Sequence, residues 1–309
     1  MSRPRVVRRA VDGVLLLDKP VGLTSNGALQ RVKRLFRAEK AGHTGSLDPL
    51  ASGLLPLCLG EATKLSGFLL DADKGYEVGC RFGARTDTAD ADGEVIETQP
   101  LPGKDPTAIE RALAGLRGDI EQVPPMYSAL KHEGQRLYKL ARAGTEVARP
   151  PRPVTIHELT PLGWDDDATL ALRVRCSKGT YVRTLVEDLG RALGSAAHVA
   201  WLRRTVAEPY TLTTPGVLTL AAVEHAHEAG GEAALDALLL PVDSAVADWP
   251  RIDLGADAAY FMLRGQPVIS PRAPLDRMLR LYGPNDRFLG IGAVQDDGRV
   301  APKRLIRTG

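Results

Sequence analysis

Residues 169–194, TLALRVRCSKGTYVRTLVEDLGRALG, contain two hydrophobic periods in succession. The first half has apolar residues at every second position, which is typical of a strand with one buried face: Leu170, Leu172, Val174 and Cys176. After Thr180 the apolar residues follow a helical spacing: Val182, Leu185, Val186, Leu189 and Leu193. The stretch therefore predicts a strand, a loop and a helix, so the chain combines both kinds of element.

The N-terminal third contains further elements of both kinds. Residues 13–25 predict a short buried strand and a loop, and Ser25 then caps a helix that buries Ala28, Leu29, Val32, Leu35 and Phe36. Residues 53–59, GLLPLCL, predict a strand broken at its proline, and a helix follows from Glu61. Residues 75–83 alternate and place four side chains on one strand face: Tyr76, Val78, Cys80 and Phe82.

The remaining predicted elements lie further along the chain. Residues 107–120, TAIERALAGLRGDI, predict a helix. Residues 288–294 and 299–307 predict a hairpin around a turn at residues 296–298, DDG. We expect the segment from Trp249 onward to be a small all-β domain.

Charge is distributed unevenly, although the net charge is only +2. Residues 1–50 contain ten Lys or Arg against four Asp or Glu, and residues 173–204 contain seven against two. Residues 221–257 contain eight acidic residues and one basic residue. This segregation favours a basic surface that binds a polyanion, and a basic surface that is merely solvated is the alternative.

Several function classes find no support in the sequence. Three widely spaced cysteines without a C-x-x-C pair indicate reduced thiols rather than a disulfide framework or a zinc knuckle. The apolar run at residues 14–17 is too short for a signal peptide or a membrane span. Scattered histidines and the lack of a dinucleotide fingerprint predict neither a metal nor a cofactor. We expect a cytoplasmic protein whose chemistry comes from side chains alone.

Asp48 is the carboxylate of the small-residue stretch HTGSLDPLASG, residues 43–53. Asp-Pro is a typical helix start, because Asp is a preferred N-cap and proline suits the first helical position. An ionised aspartate can also act as a nucleophile or a base without prior activation. The local sequence leaves both interpretations open, with Asp48 at the mouth of a short helix in either case.

Two other binding sites fail on their spacing. A phosphate-binding loop around Gly42 and Gly45 lacks the lysine that the motif requires. A calcium loop aligned on Gly93 would put Thr88 at its first ligand position and Gln99 at its last, where a bidentate glutamate belongs. Residues 88–99 are better explained as a turn with capping aspartates.

Basic residues recur in two segments that could contact phosphates. The polar face of the helix that follows Ser25 carries Arg31, Lys33, Arg34 and Arg37. Residues 127–144, YSALKHEGQRLYKLARAG, place Lys131, His132, Arg136, Lys139 and Arg142 around interleaved tyrosines and end in a plausible C-cap glycine. A solvated helix face remains the alternative. Arg183 has a similar alternative, an exposed network with Glu187 and Arg191.

Eight collinear motifs closely resemble those of the TruB family of bacterial tRNA pseudouridine synthases. They run from about residue 12 to the C-terminus and read KPVGLTS, GHTGSLDPLASGLLP, KGYEV, RTDTADADGE, MYSALKHEGQRLYKLARAG, CSKGTYVRTLVEDLG, AHVAWLRRT and DGRVAPKRL. Ser52 stands where the family has threonine, and both residues are small and hydroxylated.

The resemblance implies an isomerisation of uridine 55 in the T-loop of tRNA to pseudouridine, without cofactor or metal. It also implies residue roles. Asp48 would be the catalytic carboxylate, Arg183 would pair with it, and Tyr76 would stack on the base and could transfer a late proton. Tyr181 and Leu202 would line the base pocket, with His43 stacking on the opened RNA and Lys19 and Pro20 supporting the pocket. The first reaction of Asp48, on the sugar, on the base or as a base, stays open.

The same resemblance implies the architecture and the partners. A basic tail, residues 1–11, would precede an α+β catalytic domain, residues 12–248, built on a mixed and mostly antiparallel sheet flanked by helices. Residues 124–152 would form a mobile thumb that closes on RNA. A β-rich PUA module, residues 249–309, would contact the acceptor end of tRNA. We expect a monomer that does not bind membranes. A non-catalytic RNA chaperone and a guide-dependent subunit of a ribonucleoprotein are the alternative functions.

Overall fold

The central sheet follows the predicted pattern of strands and contains both parallel and antiparallel pairs. The computed structural model describes residues 7–128, 130–270, 273–274 and 277–307. Residues 1–6 of the predicted basic tail lie outside the described residues, whereas Arg9 bridges to Ala38 and pairs with Asp236 at 2.7 Å.

Ten of the described strands belong to this sheet. They are β1 (Gly13–Lys19), β2 (Ala41–His43), β3 (Ser52–Leu59), β4 (Lys74–Phe82), β7 (Gly118–Gln122), β10 (Arg152–Trp164), β11 (Thr169–Cys176), β12 (Ala197–Ala207), β13 (Tyr210–Thr211) and β14 (Val217–Thr219). The order is β14-β1-β3-β12-β4-β11-β10-β7, and β2 and β13 pair with β3 and β12. Only β1 with β14 and β3 with β12 are parallel, so the predicted mixed, mostly antiparallel sheet is confirmed.

Four short strands form two separate hairpins beside this sheet. One hairpin pairs β5 (Ala84–Thr86) with β6 (Val95–Thr98). The other pairs β8 (Lys131–His132) with β9 (Gln135–Arg136).

Helices connect several of these strands. They are α1 (Ser25–Leu35), α2 (Ser66–Asp71), α3 (Pro106–Ala114), α4 (Leu137–Arg142), α5 (Val182–Ala192) and α6 (Leu220–Asp236). The main core contains the predicted inner faces of α1, β4, β11 and α5, including Val32, Val78, Val174 and Leu185. The strand, loop and helix predicted for residues 169–194 are therefore confirmed.

The predicted break at Pro56 is wrong, because β3 continues through it. Pro56 lies opposite Leu16 of β1, and the other edge of β3 changes partner near this residue. Strand β12 pairs with residues 52 and 53, whereas β2 pairs with residues 57 to 59. Proline is tolerated here because no neighbouring strand on that edge needs its missing N–H.

Three helix boundaries also differ from the predictions. The helix expected from Glu61 is divided into a 3-10 turn, Gly60–Lys64, and α2. The helix expected over residues 107–120 ends at Ala114, and Gly118, with a φ of +79°, then begins β7. The N-cap of α1 is Thr24 rather than Ser25, and its hydroxyl accepts a hydrogen bond from Gly27 N at 2.9 Å.

The C-terminal segment forms a second sheet of five strands in the order β15-β17-β18-β19-β16. Its strands are β15 (Arg251–Asp253), β16 (Val268–Ile269), β17 (Met278–Gly283), β18 (Arg287–Val294) and β19 (Arg299–Leu305). The predicted hairpin is confirmed as β18 and β19. The prediction of an all-β segment is wrong, because α7 (Ala256–Leu263) contributes Met262 to the local core. No helix among the described residues is long and apolar enough to cross a membrane.

Candidate active site

Asp48 lies in the loop between β2 and β3. The backbone N–H of Ala51 donates to the carbonyl of Asp48 at 3.1 Å, which closes a four-residue turn that contains Pro49. The predicted short helix at Asp48 is therefore wrong. Proline suits the second position of a turn as well as the first turn of a helix, and here the chain enters β3 only one residue after Ala51.

Both backbone neighbours of Asp48 are held by the segment that joins β1 to α1. The buried Ser25 hydroxyl accepts a hydrogen bond from Leu47 N at 2.6 Å and donates to Leu47 O at 3.1 Å. On the other side, Gly22 N donates to Pro49 O at 2.8 Å. The hydroxyl expected to cap α1 instead fixes the loop that carries Asp48.

Arg183, near the start of α5, pairs with this carboxylate. Its Nε lies 3.1 Å from Asp48 Oδ2, and its side chain is only 7% exposed. Its Nη1 donates to Thr88 O at 2.9 Å and its Nη2 donates to Tyr127 O at 2.7 Å. The prediction that Arg183 lies beside Asp48 is confirmed, and the alternative of an exposed network is wrong because the guanidinium points inward.

Asp90 is a second carboxylate at this guanidinium that the sequence did not single out. Its Oδ2 lies 3.9 Å from Arg183 Nη1, and its Oδ1 accepts hydrogen bonds from Thr88 Oγ1 at 2.6 Å and Asp92 N at 3.2 Å. The segment between β5 and β6 contains three aspartates, and only Asp90 is buried. Its spacing indicated a turn and gave no means of choosing among them.

Burial and neighbouring charges set the ionisation of the site. Burial raises the pKa of Asp48 and Asp90 raises it further, whereas Arg183 and Lys19 lower it. Lys19 is fully buried, and its ammonium donates to Pro20 O at 2.8 Å and Leu23 O at 2.7 Å. Burial lowers the pKa of Lys19 to about 8, against the attraction of Asp48. Arg183 therefore supports the charged form of Asp48 in a pocket that disfavours it.

Tyr76 and Tyr181, the two tyrosines predicted to contact the base, lie on β4 and immediately before α5. Tyr76 is half-buried on β4, where burial raises its pKa and Arg204 lowers it. Tyr181 precedes α5, and its backbone N–H and carbonyl both bond to the Gln122 side chain, at 3.0 and 3.3 Å. Burial raises the pKa of Tyr181, with the Asp48 charge among the smaller causes.

Leu202 and His43 complete the set of predicted pocket residues. Leu202 is buried on β12 opposite Val78. His43 ends β2, half-buried, with Nδ1 lacking a hydrogen-bond partner among the described residues. Burial and Arg204 lower the pKa of His43, so its imidazole is neutral at pH 7.

The candidate phosphate contacts lie on exposed elements. Arg31 and Arg34 are exposed on α1, and Arg31 pairs with Glu224 of α6. Residues 127–144 contain the hairpin β8–β9 before α4, so the prediction of one helix face covers only their second half. The other exposed candidates are Lys131 and Arg136 on the hairpin and Lys139 and Arg142 on α4. Gly144 has a φ of +72°, as expected for a residue that ends a helix.

No group of three or more metal-ligating side chains with the geometry of a metal site occurs within the described ranges. The site contains two carboxylates, Asp48 and Asp90, two guanidinium groups, Arg183 and Arg204, two lysines, two phenols and the imidazole of His43. Lys74, the second lysine, is buried beside Arg204, and its pKa is lowered to about 8.

Three family models together match most of the chain. They are "TruB family pseudouridylate synthase (N terminal domain)" over residues 33–182, "tRNA pseudouridylate synthase B C-terminal domain" over residues 183–247 and "Pseudouridine synthase II TruB, C-terminal" over residues 250–306.

Curated relatives are similar over their full length. The tRNA pseudouridine synthase B of Ectopseudomonas mendocina (strain ymp) is 56% identical over 309 residues, and that of Stutzerimonas stutzeri (strain A1501) is 57% identical over 308 residues. Each alignment covers 100% of both chains.

Solved structures show the same fold. A chain of a Cbf5-Nop10-Gar1 complex has a TM-score of 0.72 at 24% identity, with 100% of this chain and 90% of that chain covered. A chain of an H/ACA RNP bound to a substrate RNA has a TM-score of 0.72 at 23% identity, with 96% and 85% covered.

Proposed function

The chain belongs to the TruB family of pseudouridine synthases, and from this premise we propose that it isomerises uridine 55 in the T-loop of tRNA to pseudouridine. The Asp48–Arg183 ion pair is the observation that carries the proposal. It joins a loop carboxylate to a buried guanidinium 135 residues away in the chain, beside half-buried aromatic side chains that could hold a base.

The proposed reaction keeps the elemental composition of the nucleoside and exchanges one hydrogen with solvent. The N1–C1′ bond breaks, the uracil turns, and a C5–C1′ bond forms. The C5 proton then leaves, its electron pair restores the C5–C6 double bond, and N1 takes up a proton. Arg183 holds Asp48 Oδ2, so Oδ1 is the oxygen that would meet the substrate. Attack on the sugar, attack on the base and proton abstraction all require the ionised carboxylate that Arg183 favours.

The resemblance to the family supplies the roles that we propose for the surrounding residues. A base in a folded loop must be extruded, at about a few kcal/mol, and stacking on Tyr76 returns about 1 to 3 kcal/mol. Tyr181 and Leu202 line the pocket, and His43, as a neutral imidazole, stacks on the opened RNA. Lys19 supports the pocket by holding the carbonyls of Pro20 and Leu23.

The peripheral elements supply the RNA contacts. We assign the thumb to residues 124–152, the catalytic domain to residues 12–248 and a PUA-like module that contacts the acceptor end of tRNA to residues 249–309. The exposed arginines of α1, together with the basic residues of the hairpin β8–β9 and of α4, would bind phosphates. We propose that the protein acts on tRNA in the cytoplasm and that it does so as a monomer. Tyr127 joins the thumb to the site, since its carbonyl accepts from Arg183.

The assay measures tritium release from an unmodified T-arm stem-loop that contains 5-tritiated uridine, with the purified protein in EDTA and without guide RNA or partner proteins. We expect release, and none from a stem-loop with cytidine at position 55. The absence of release by a well-folded protein would contradict standalone catalysis, and RNA unfolding without release would support the chaperone alternative.

Asp48→Asn tests the catalytic carboxylate in the same assay. The amide keeps the shape of the side chain but has no charge, so we expect turnover to be abolished while tRNA binding is largely kept. Asp167→Asn is the matched control, because the Asp167 side chain is fully exposed and pairs with Lys104. Turnover by Asp48→Asn at the rate of the control would remove Asp48 from the chemistry.

A further inference from the structure

Arg204 is a buried arginine with no role in the reaction scheme above. It lies on β12 and is 1% exposed. Its Nε donates to Leu54 O at 2.7 Å and its Nη2 donates to Gly45 O at 3.3 Å. No ion pair to a carboxylate involves Arg204 among the residues that the structure describes. A buried charge without an anionic partner is costly, so its retention here calls for an acceptor.

The Tyr76 hydroxyl is the acceptor that the strand register offers to this arginine. Arg204 and Tyr76 are register partners on the adjacent strands β12 and β4, and directly opposed residues project to the same face of a sheet. Burial is the largest influence on both side chains, raising the pKa of Tyr76 and lowering that of Arg204; against it, Arg204 lowers the pKa of Tyr76 and Tyr76 raises the pKa of Arg204. The carbonyl of Leu54 on the neighbouring strand β3 and that of Gly45 in the Asp48 loop both accept hydrogen bonds from Arg204. These two bonds fix the orientation of the guanidinium.

We propose that Arg204 is a positioning residue that holds the Tyr76 oxygen toward the base and stabilises the phenolate that accepts the C5 proton. This inference rests on the proposed function. In the step, the C5–H bond breaks and its electron pair restores the C5–C6 double bond. The proton joins the Tyr76 oxygen, which then returns it to solvent.

The charges around this pair support a fixed cation at Arg204. Tyr76 is faced by Cys176 of β11 and by Asp48, both of which disfavour its phenolate, whereas Arg204 favours it. Arg204 is itself surrounded by Lys19, Lys74 and His43, each of whose pKa values it lowers. Both lysines have pKa values of about 8, so they lose charge as the pH rises through 8. A guanidinium does not, and it therefore remains the cation at the phenol.

Arg204→Met removes the charge while keeping an unbranched side chain. We expect kcat to fall about 10- to 100-fold with an unchanged Kd for the T-arm, because a hydrogen bond to a charged group is lost at a step after binding. Arg204→Lys keeps the charge but not the fork and is expected to be intermediate. Arg203→Met is the matched control, since Arg203 immediately precedes Arg204 on β12 and pairs with Asp18.

A second measurement reads the Tyr76 ionisation directly. Protein labelled with ¹³C at the tyrosine ring Cζ is titrated within the pH range in which its circular dichroism is unchanged, and the Tyr76 signal is the one that Tyr76→Phe removes. We expect Arg204→Met to raise the Tyr76 pKa and so to lower its phenolate fraction at a given pH about 10-fold. A merely structural arginine would not move this signal.

The outcomes separate the inference from the proposed function. An unchanged Tyr76 titration together with an unchanged kcat in a folded Arg204→Met protein overturns the inference. If Arg204→Met does not fold, Arg204→Lys with the kcat and Tyr76 titration of the unsubstituted protein overturns it. A lack of tritium release by the unsubstituted protein refutes the proposed function, and the titration still tests the contact.

Discussion

Ser25→Ala removes the hydroxyl that holds the residue before Asp48. Ser25 is 3% exposed, and its Oγ bonds to both the N–H and the carbonyl of Leu47. The alanine methyl group leaves these two buried backbone groups without partners, at about 1 to 3 kcal/mol each. Partial relaxation of the loop lowers the sum, so we expect the free energy of unfolding to fall by about 2 to 4 kcal/mol.

The same change should reach the chemistry, because Leu47 is covalently adjacent to Asp48. A misplacement of about 1 Å in a reacting group costs about 100-fold in rate. We therefore expect kcat to fall about 10- to 100-fold while Kd for the T-arm changes little. The retained turn from Asp48 to Ala51 keeps the carboxylate near the pocket, so turnover is reduced rather than lost.

Urea unfolding and tritium release measure the two effects on one preparation. Ser66→Ala is the matched control, since the partly buried Ser66 hydroxyl donates one bond, to Thr63 O at 2.8 Å. We expect it to cost about 0.5 to 1.5 kcal/mol and to leave kcat unchanged. The reasoning is refuted if Ser25→Ala costs no more than Ser66→Ala, or if it is destabilised with full kcat.

Two further predictions follow from the charges of the site and the thumb. Arg183→Gln should move the acidic limb of the kcat/KM profile to higher pH. The cation lowers the Asp48 pKa, so its removal lets burial raise that pKa further, and an unmoved limb would contradict the pairing. Replacing Lys139 and Arg142 with alanine should flatten the dependence of log K on log salt by about 1 per lost phosphate contact. Lys104→Ala, on a residue paired with Asp167, should leave that slope unchanged.

Elements with a regular hydrophobic period could be predicted from the sequence. The strand face that contains Val78 and the helix that contains Leu185 both bury the expected residues, because burial on one face imposes the period directly. Two of the failures occur at a proline and a glycine. Pro56 and Gly118 have local preferences that permit several structures, and the partner strands decide among them.

The site required information from distant parts of the chain. Asp48 and Pro49 allow a helix start or a turn, and the local residues do not distinguish them. Arg183 could be predicted as its partner only through the resemblance to a family, since the helical pattern also allowed an exposed network with Glu187. Asp90 was missed because three aspartates share one loop and the ion pair selects one.

The sequence also contains no sign that Arg204 is buried, because its position depends on the pairing register of β12 with β4. Arg203 and Arg204 are adjacent and chemically identical, yet Arg203 pairs with Asp18 at a half-exposed position, whereas Arg204 is buried opposite Tyr76. Successive residues of a strand point to opposite faces, so a shift of one residue in the pairing of β12 with β4 would exchange their environments. Gly53 allows this close pairing, since a Cβ there would lie 2.3 Å from the Arg204 carbonyl oxygen. The position of the buried arginine is thus set by backbone packing between β3 and β12. The hydrophobic pattern of either strand alone does not predict this packing.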